Sequence, residues 1–162
     1  MRKQIRVLLV HRDPVLVTLL EWCLVEERRL AVVGRANTTR AAIDLTRSSS
    51  PDVVLTDLDF KRIRSLARLQ VPARILILAA ASHLKERIQA VEMGAHGVVH
   101  MRGDHGNISR HTLMKAIEQL VAGDLWVSRL DAMHLIRHLS VLSRSAEPME
   151  PLTNPHEQTT PS

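Results

Sequence analysis

Residues 51–57, with the sequence PDVVLTD, constrain the fold of this chain more than any other segment. Val53, Val54 and Leu55 are consecutive apolar residues, as expected of a parallel strand that is covered by helices on both faces. Asp57 follows at the carboxyl end of that strand, which is where open α/β sheets place their functional sites. The segment therefore predicts the central strand of a helix-covered sheet, with a functional position at residue 57.

Short apolar runs alternate along the chain with longer amphipathic segments, which predicts βαβ units and a parallel sheet. Right-handed crossovers leave few topologies for such a chain. We expect an α/β fold: a flavodoxin-like, doubly wound five-stranded parallel sheet of order 2-1-3-4-5 with an additional C-terminal helix. The predicted strands are residues 5–10, 30–36, 52–57, 74–80 and 97–101.

Helical spacing indicates which side chains share a face of each helix. Asp13 and Pro14 have the residue types of a helix cap and a first helical turn. The helix that follows should turn inward Leu16, Leu19, Leu20, Cys23 and Leu24. The C-terminal helix carries an apolar stripe of Ala132, Leu135, Ile136, Leu139 and Leu142. A short third helix is expected over about residues 60–70, and both tryptophans, Trp22 and Trp126, are expected to be packing anchors.

Composition divides the chain into three parts. We expect one domain over residues 1–128, a linker helix over 129–144 and a disordered tail over 145–162, where four of the seven prolines lie. Cys23 is the single cysteine and cannot form an internal disulfide, which favours a reducing cytoplasm. No apolar run approaches the roughly 20 residues of a membrane span, so we expect no membrane partner.

The formal net charge of +5 raises the hypothesis of nucleic-acid binding. A solvated helix face is nevertheless the favoured interpretation of the one local basic cluster, Lys61, Arg62, Arg64 and Arg68. Aromatic residues make up 2% of the chain, which argues against a protein that stacks single-stranded bases. His134 and His138 are spaced like zinc ligands on a helix, but no third ligand has a matching spacing, so we expect no metal centre.

Several motifs together resemble a bacterial response-regulator receiver domain of the NarL/LuxR type, which implies a CheY-like fold. They are IRVLLV followed four residues later by Pro14, then PDVVLTD, RILILAA, AVEMGAHGVV and AIEQLVAGDLWVS. The likeness covers about residues 4–128 and, more weakly, the segment to about 153. Residues 151–153 are similar to the start of the family's helix-turn-helix domain, so we expect either a truncated receiver or a protein that lost its output domain.

The resemblance implies a phosphoacceptor position at Asp57, to which receivers of this type transfer a phosphoryl group from a histidine kinase. Two acids normally hold the Mg²⁺ that neutralises this group. In this chain the two acid positions fall on His11 and Arg12. Three further positions that act on the phosphoryl group or respond to it are normally a Thr or Ser, a Lys and an aromatic residue. They fall on Ala79, Met101 and Val98.

These substitutions predict a degenerate receiver. Mg²⁺ prefers carboxylate oxygens, which His11 and Arg12 do not supply. We expect one of these two side chains to pair with Asp57 in place of a metal, and the planar guanidinium of Arg12 suits a carboxylate well. We accordingly expect no catalytic residue and no cofactor, and Mg²⁺ would be required only if Asp57 were phosphorylated.

The resemblance, taken together with these substitutions, implies a regulatory module in transcription that is not an enzyme and is expected to act through protein contacts without phosphorylation. A protein partner or a homodimer is expected on the face of the fourth helix, fifth strand and fifth helix, with candidate residues Leu84, Arg87, Val91, Lys115 and Gln119. We expect any DNA-binding output domain to lie outside this chain. Three alternatives stay open: a receiver phosphorylated at Asp57, nucleic-acid binding through residues 61–68, and a small-molecule sensor in the cleft at Asp57.

Overall fold

The computed structural model describes residues 3–80, 83–101 and 109–145. It confirms a five-stranded parallel sheet in the order β2-β1-β3-β4-β5. The strands are β1 (Ile5–Val10), β2 (Leu30–Ala36), β3 (Val53–Asp57), β4 (Arg74–Ala79) and β5 (Gly97–His100). The helices are α1 (Pro14–Val25), α2 (Thr39–Ser49), α3 (Phe60–Ala67), α4 (Leu84–Glu92), α5 (Arg110–Val121) and α6 (Arg129–Ser145). Every predicted strand therefore exists, and its ends agree to within one residue.

The central strand β3 is buried along its whole length. It pairs with β1 on one side and with β4 on the other, so that Val10 lies opposite Thr56 and Asp57 lies opposite Leu78. Helices α1 and α5 cover one face of the sheet, and α2, α3 and α4 cover the other. The uninterrupted apolar run in residues 53–55 is explained by this burial on both faces.

Helix α1 begins at the predicted residue, but the side chains that it turns toward the core are not all the predicted ones. The carboxylate of Asp13 accepts a hydrogen bond from the Val15 N–H at 2.9 Å, and Pro14 occupies the first helical turn. The buried residues are Val17, Leu20 and Leu24. The prediction that Leu19 turns inward is wrong, and so is the prediction that Trp22 is a packing anchor, because both side chains are exposed. Apolar residues occur all around this helix, so spacing could not identify its inner face.

Trp126 is a packing anchor, as predicted. Its ring packs against the core cluster under α1 and α5. Its backbone forms a bridge to the start of β5, with the Trp126 N–H donating to His96 O at 3.1 Å and the Val98 N–H donating to Trp126 O at 2.9 Å. The bridge brings Trp126 so close to Gly97 that a Cβ there would lie 2.9 Å from the Trp126 Cβ. Residue 97 therefore has to be glycine for the strand edge to be covered in this way.

Helix α6 lies against α4. The buried carboxylate of Asp131 accepts two hydrogen bonds from the Arg87 guanidinium, at 3.0 and 3.1 Å. Within the predicted stripe Leu135 is buried, and the three apolar residues after it, Ile136, Leu139 and Leu142, are exposed. The predicted tail after residue 145 lies outside the described residues. Within the described ranges, no helix is both long enough and apolar enough to cross a bilayer.

The imidazole of His96 is held in its neutral form at the start of β5. Its Nδ1 accepts a hydrogen bond from the Ile75 N–H at 2.9 Å, a contact that requires an unprotonated nitrogen. Burial lowers the pKa of His96 from its usual value of 6.5, and the nearby positive charge of Arg74 lowers it further. Protonation of this ring is therefore easier in the unfolded chain than in the folded one.

We predict that the free energy of unfolding falls as the pH drops below about 6.5, because the unfolded chain then binds the proton that folded His96 resists. Above that pH the ring is neutral in both the folded and the unfolded chain, so His96 no longer makes the stability depend on pH. Urea unfolding between about pH 5 and pH 8 measures the slope, and His96→Asn, which keeps an acceptor but does not titrate, should reduce it. Burial also lowers the pKa of His11 and of His100, so part of the slope should remain. A His96 pKa at or above 6.5 in an NMR titration would contradict the prediction.

Candidate functional site

The carboxyl ends of β1 and β3 meet at one edge of the sheet. Because Val10 pairs with Thr56, the residues that follow each strand are neighbours. The structure thus brings Arg12 and Asp57 into contact, as the sequence predicted, with His11 beside them. This edge is also where the strand order reverses, which is the position of ligand sites in open α/β sheets.

The carboxylate of Asp57 is buried, with 7% of the residue exposed, and it is hydrogen-bonded on both oxygens. Its Oδ1 accepts hydrogen bonds from Arg62 Nη1 and from Thr56 Oγ1, the latter at 3.2 Å. Its Oδ2 accepts one from Arg12 Nε at 3.2 Å. Two guanidinium groups therefore neutralise one carboxylate, each through a different oxygen.

Arg62 is the functional residue that sequence reasoning missed. The interpretation of residues 61–68 as a solvated basic face is wrong at this position, because Arg62 is 4% exposed. The other three members of the cluster, Lys61, Arg64 and Arg68, are exposed as predicted. Because Arg62 is buried, its charge is not available at the surface through which residues 61–68 would have to bind a nucleic acid.

The short connection between β3 and α3 explains the position of Arg62. Leu58 and Asp59 alone separate Asp57 from the helix, so the first turn of α3 lies close to the end of the strand. Helical spacing places Arg62 on the same side as Leu66, four residues later, and both are buried. This spacing was visible in the sequence and could have identified an arginine that faces inward.

The two arginines differ in how firmly they are held. Arg12 lies at the rim of the cleft with 70% of its side chain exposed, whereas the side chain of Arg62 is 5% exposed. The Nε of Arg62 is buried and finds no acceptor among the described residues. Arg62 is therefore fixed mainly through its contact with Asp57, and Arg12 can leave its partner at little cost.

The neighbouring acids already make other hydrogen bonds. Asp59 caps α3, with its Oδ1 accepting from the Arg62 N–H at 3.1 Å, and its Oδ2 lies 4.0 Å from Arg12 Nη2. Asp13 caps α1. Both carboxylates are therefore explained by the local structure of the two helices that begin at this edge.

His11 lies beside the site without pairing with the carboxylate of Asp57. Its Nδ1 accepts a hydrogen bond from the Asp13 N–H at 2.9 Å. Burial lowers the pKa of His11 below its usual value, and this effect outweighs the negative charge of Asp57, which acts to raise it. The ring is therefore neutral at pH 7, and Arg12 is the one of the two predicted partners that pairs with Asp57.

The other mapped positions supply no group that could bind a phosphoryl oxygen. Ala79 is buried at the end of β4, and Val98 is buried within β5. Met101 packs against the core under α1 and α5, and its N–H donates to Ala79 O at 2.8 Å. A methyl group, an isopropyl group and a thioether offer neither the hydroxyl nor the ammonium that this chemistry uses.

The residues at this edge do not fit a magnesium ion. Mg²⁺ requires oxygen ligands in near-octahedral geometry, usually with one or two carboxylates. Here both oxygens of Asp57 accept hydrogen bonds from cations, and the acid positions after β1 carry an imidazole and a guanidinium. Elsewhere in the described ranges, no three acidic, histidine or cysteine side chains cluster as a metal site would need. His138, one of the two spaced histidines, instead contacts Glu92 on α4.

Removal of Arg62 should destabilise the fold far more than removal of Arg12. We predict that Arg62→Met lowers the free energy of unfolding by about 3 kcal/mol, because it leaves a buried carboxylate without its buried partner. Arg12→Ala should cost about 0–1 kcal/mol, as expected for an exposed ion pair. Chemical denaturation of the two variants and the parent provides the comparison.

The double variant Asp57→Asn with Arg62→Met serves as the control for this prediction. It should recover a large part of the loss, because no unpaired charge then remains in the interior. Equal destabilisation by Arg62→Met and Arg12→Ala would show that the buried Asp57–Arg62 pair contributes no more to stability than the exposed Asp57–Arg12 pair.

Comparison with known proteins gives the context of this site. The chain is 26% identical over 128 residues to the nitrate/nitrite response regulator protein NarL of Escherichia coli, an alignment that covers 75% of this chain and 57% of NarL. It is 35% identical over 102 residues to a protein-glutamate methylesterase/protein-glutamine glutaminase of Myxococcus xanthus, covering 58% of this chain and 29% of that protein. The chain thus spans 57% of the length of NarL and 29% of the length of the methylesterase.

The fold has close counterparts among solved structures. A two-component response regulator of the LuxR family from Aurantimonas matches with a TM-score of 0.70 and 28% identity, over 85% of this chain and 99% of the other. The family model for the response regulator receiver domain matches residues 7–117, which include β2 to β5, the last four residues of β1, His11, Arg12 and Asp57. The chain therefore belongs to the response regulator receiver domain family of two-component signalling.

Proposed function

We propose that this chain is a pseudo-receiver, by which we mean a receiver domain that regulates through protein contacts and does not undergo phosphorylation. The observation that carries the proposal is the state of Asp57, whose two carboxylate oxygens accept hydrogen bonds from Arg62 and Arg12. An aspartate that receives a phosphoryl group must offer a free oxygen to the phosphorus. Here the buried Arg62 and the exposed Arg12 each donate to one of these oxygens, and their positive charges make both oxygens weaker nucleophiles.

The charges around Asp57 support the same proposal. A receiver uses Mg²⁺ to neutralise the incoming phosphoryl group and to bring it against the carboxylate. Two guanidinium groups already compensate the negative charge of this aspartate, so a divalent cation would meet repulsion instead of attraction. The absence of a hydroxyl at Ala79 and of an ammonium at Met101 removes the groups that would stabilise the transferred oxygens.

A role in the control of transcription is supported by the similarity to NarL and to the LuxR-family regulator. Under this proposal the chain works in the cytoplasm, without enzymatic activity and without a cofactor, and it passes its signal to a DNA-binding domain or to a protein partner. Neither contact has to involve the aspartate. Both need an accessible surface on the outer helices.

The face of α4, β5 and α5 is the proposed partner surface, and α6 restricts which part of it is accessible. Arg87 pairs with the buried Asp131, and Leu84 lines a groove of about 790 Å³ between α4 and α6. Val91 packs against the core. The accessible candidates are therefore Lys115 and Gln119 on α5, both of which are exposed.

A phosphorylatable receiver is the second candidate, and one observation favours it. Arg12 is largely exposed, so it can move away and free the Oδ2 of Asp57 for reaction. Phosphorylation would then require Mg²⁺ to bind beside Arg62, with His11 and Arg12 where two acids normally lie. The repulsion between Mg²⁺ and the two arginines is the reason for preferring the first candidate.

Phosphoryl labelling separates the two candidates. We predict that incubation with acetyl phosphate and Mg²⁺ leaves the intact mass of the chain unchanged, and that Mg²⁺ with beryllofluoride does not raise its melting temperature. A phosphorylatable receiver treated in the same way is the positive control. A mass increase of one phosphoryl group that disappears in Asp57→Asn would overturn the pseudo-receiver and establish the second candidate.

A further inference from the structure

Helices α2 and α3 lie side by side over the same face of the sheet, and together they carry an excess of positive charge. Their outer surface exposes five cations, which we call the basic face: Arg40 and Arg47 on α2, and Lys61, Arg64 and Arg68 on α3. The cluster that the sequence shows, residues 61–68, loses Arg62 to the interior, and the fold adds the two arginines of α2 to it.

The basic face has no partner within the domain. None of its five side chains forms an ion pair or a hydrogen bond with a residue that the structure describes. Around α1 and α5, by contrast, three exposed arginines are paired: Arg29 with Glu118, Arg35 with Glu21, and Arg110 with Glu26 and Glu27. Clustered like charges repel one another, which favours their neutralisation by an anion from outside the domain.

The acids near the basic face do not neutralise it. Asp44 is the only acid within α2 and α3, and it pairs with neither Arg40 nor Arg47. Asp59 caps the start of α3, and Asp52 accepts a hydrogen bond from a backbone N–H of β1 at 2.8 Å. The basic face together with Asp44 therefore keeps a net charge of +4, since it has five cations and one acid.

Helix α6 also exposes cations, but they are arranged differently. Three arginines are spaced seven or eight residues apart along it: Arg129, Arg137 and Arg144. Exposed apolar side chains lie between them, among them Met133 and Ile136. Helix α4, which packs beside α6, adds the acids Glu86 and Glu92. A phosphate backbone at α6 would meet separate cations together with apolar and acidic groups, whereas the basic face offers two uninterrupted rows.

We propose that the basic face binds the phosphate backbone of double-stranded DNA without reading its sequence. The rows from Arg40 to Arg47 and from Lys61 to Arg68 each cover about two helical turns, or about 10 Å. One strand of a duplex presents a phosphate about every 3.4 Å along its axis, so each row can contact two or three phosphates. Packed helix axes are about 8–10 Å apart, between the widths of the minor and major grooves at about 6 and 12 Å. The two rows can therefore contact the two strands across one groove.

A duplex suits this face better than a single strand does. Proteins that bind single strands stack the bases on aromatic side chains. The chain has no tyrosine, and its one phenylalanine, Phe60, packs against the core. Trp22 lies on α1 and Trp126 lies next to β5, away from the basic face. The choice of DNA rests on the proposed role in transcription. The pseudo-receiver is tested separately by phosphoryl labelling, so either proposal can fail without the other.

Fluorescence anisotropy of a labelled DNA duplex of random sequence, titrated with the full chain at several salt concentrations, tests the proposal. The affinity should fall roughly 150- to 500-fold between about 50 and 200 mM salt, as four or five phosphate contacts require. The variant pairs Arg40→Gln with Arg47→Gln and Arg64→Gln with Arg68→Gln should each reduce the slope of log affinity against log salt by about two. The matched control is Arg137→Gln with Arg144→Gln on α6, which removes the same charge and should leave the slope unchanged.

All six substitutions replace exposed side chains, so each variant should fold, which circular dichroism and thermal unfolding check. Three results would each overturn the proposal: no binding at about 50 mM salt, an equal loss of slope in the α6 control, or tighter binding of a single strand than of the duplex. An RNA duplex of the same sequence is titrated in parallel, and a preference for it would overturn the assignment to DNA.

Discussion

The ion pair between Asp57 and Arg62 is the interaction on which the functional site depends. It joins the end of the central strand to the first turn of α3, across a connection of two residues, and both side chains are buried. A buried charge is tolerated only where it is paired and hydrogen-bonded, so neither residue can be understood without the other. The pair also determines the electrostatics of the cleft. The guanidinium of Arg62 occupies the space beside the carboxylate in which a metal ion would have to bind.

The sequence was sufficient to predict the sheet, because each strand contains a short apolar run and the runs alternate with helical segments. It also predicted that Arg12 would reach Asp57, since both follow neighbouring strands at the same edge. Arg62 was assigned to the exposed cluster because its immediate neighbours in sequence are charged. Its actual environment is set by its position one turn before Leu66 and by the short loop after Asp57, which a count of local charge does not capture.

Helix α1 shows where the periodicity of a sequence fails to identify the buried face of a helix. Periodicity identifies the inner face of a helix only if the outer face is polar, as on α5, where Leu113, Ile117 and Leu120 are buried. On α1 the apolar residues surround the helix, so Leu19 and Trp22 were assigned to the core and lie at the surface. The same absence of a polar face that made the prediction fail leaves Val15, Leu19 and Trp22 of α1 exposed at the surface.

A regulatory domain must have two states that a signal favours unequally. In a phosphorylated receiver the signal is a change of charge at the aspartate, which hydrogen-bonding groups on the neighbouring strands can follow. In this chain the charge of Asp57 is compensated by two arginines. The side chains of Ala79, Val98 and Met101 have no such groups, so they could not respond to a change of charge at the aspartate. Under the proposed function the signal is therefore the binding of a protein to the outer helices. Its strength is limited by the difference in affinity of that protein for the two states.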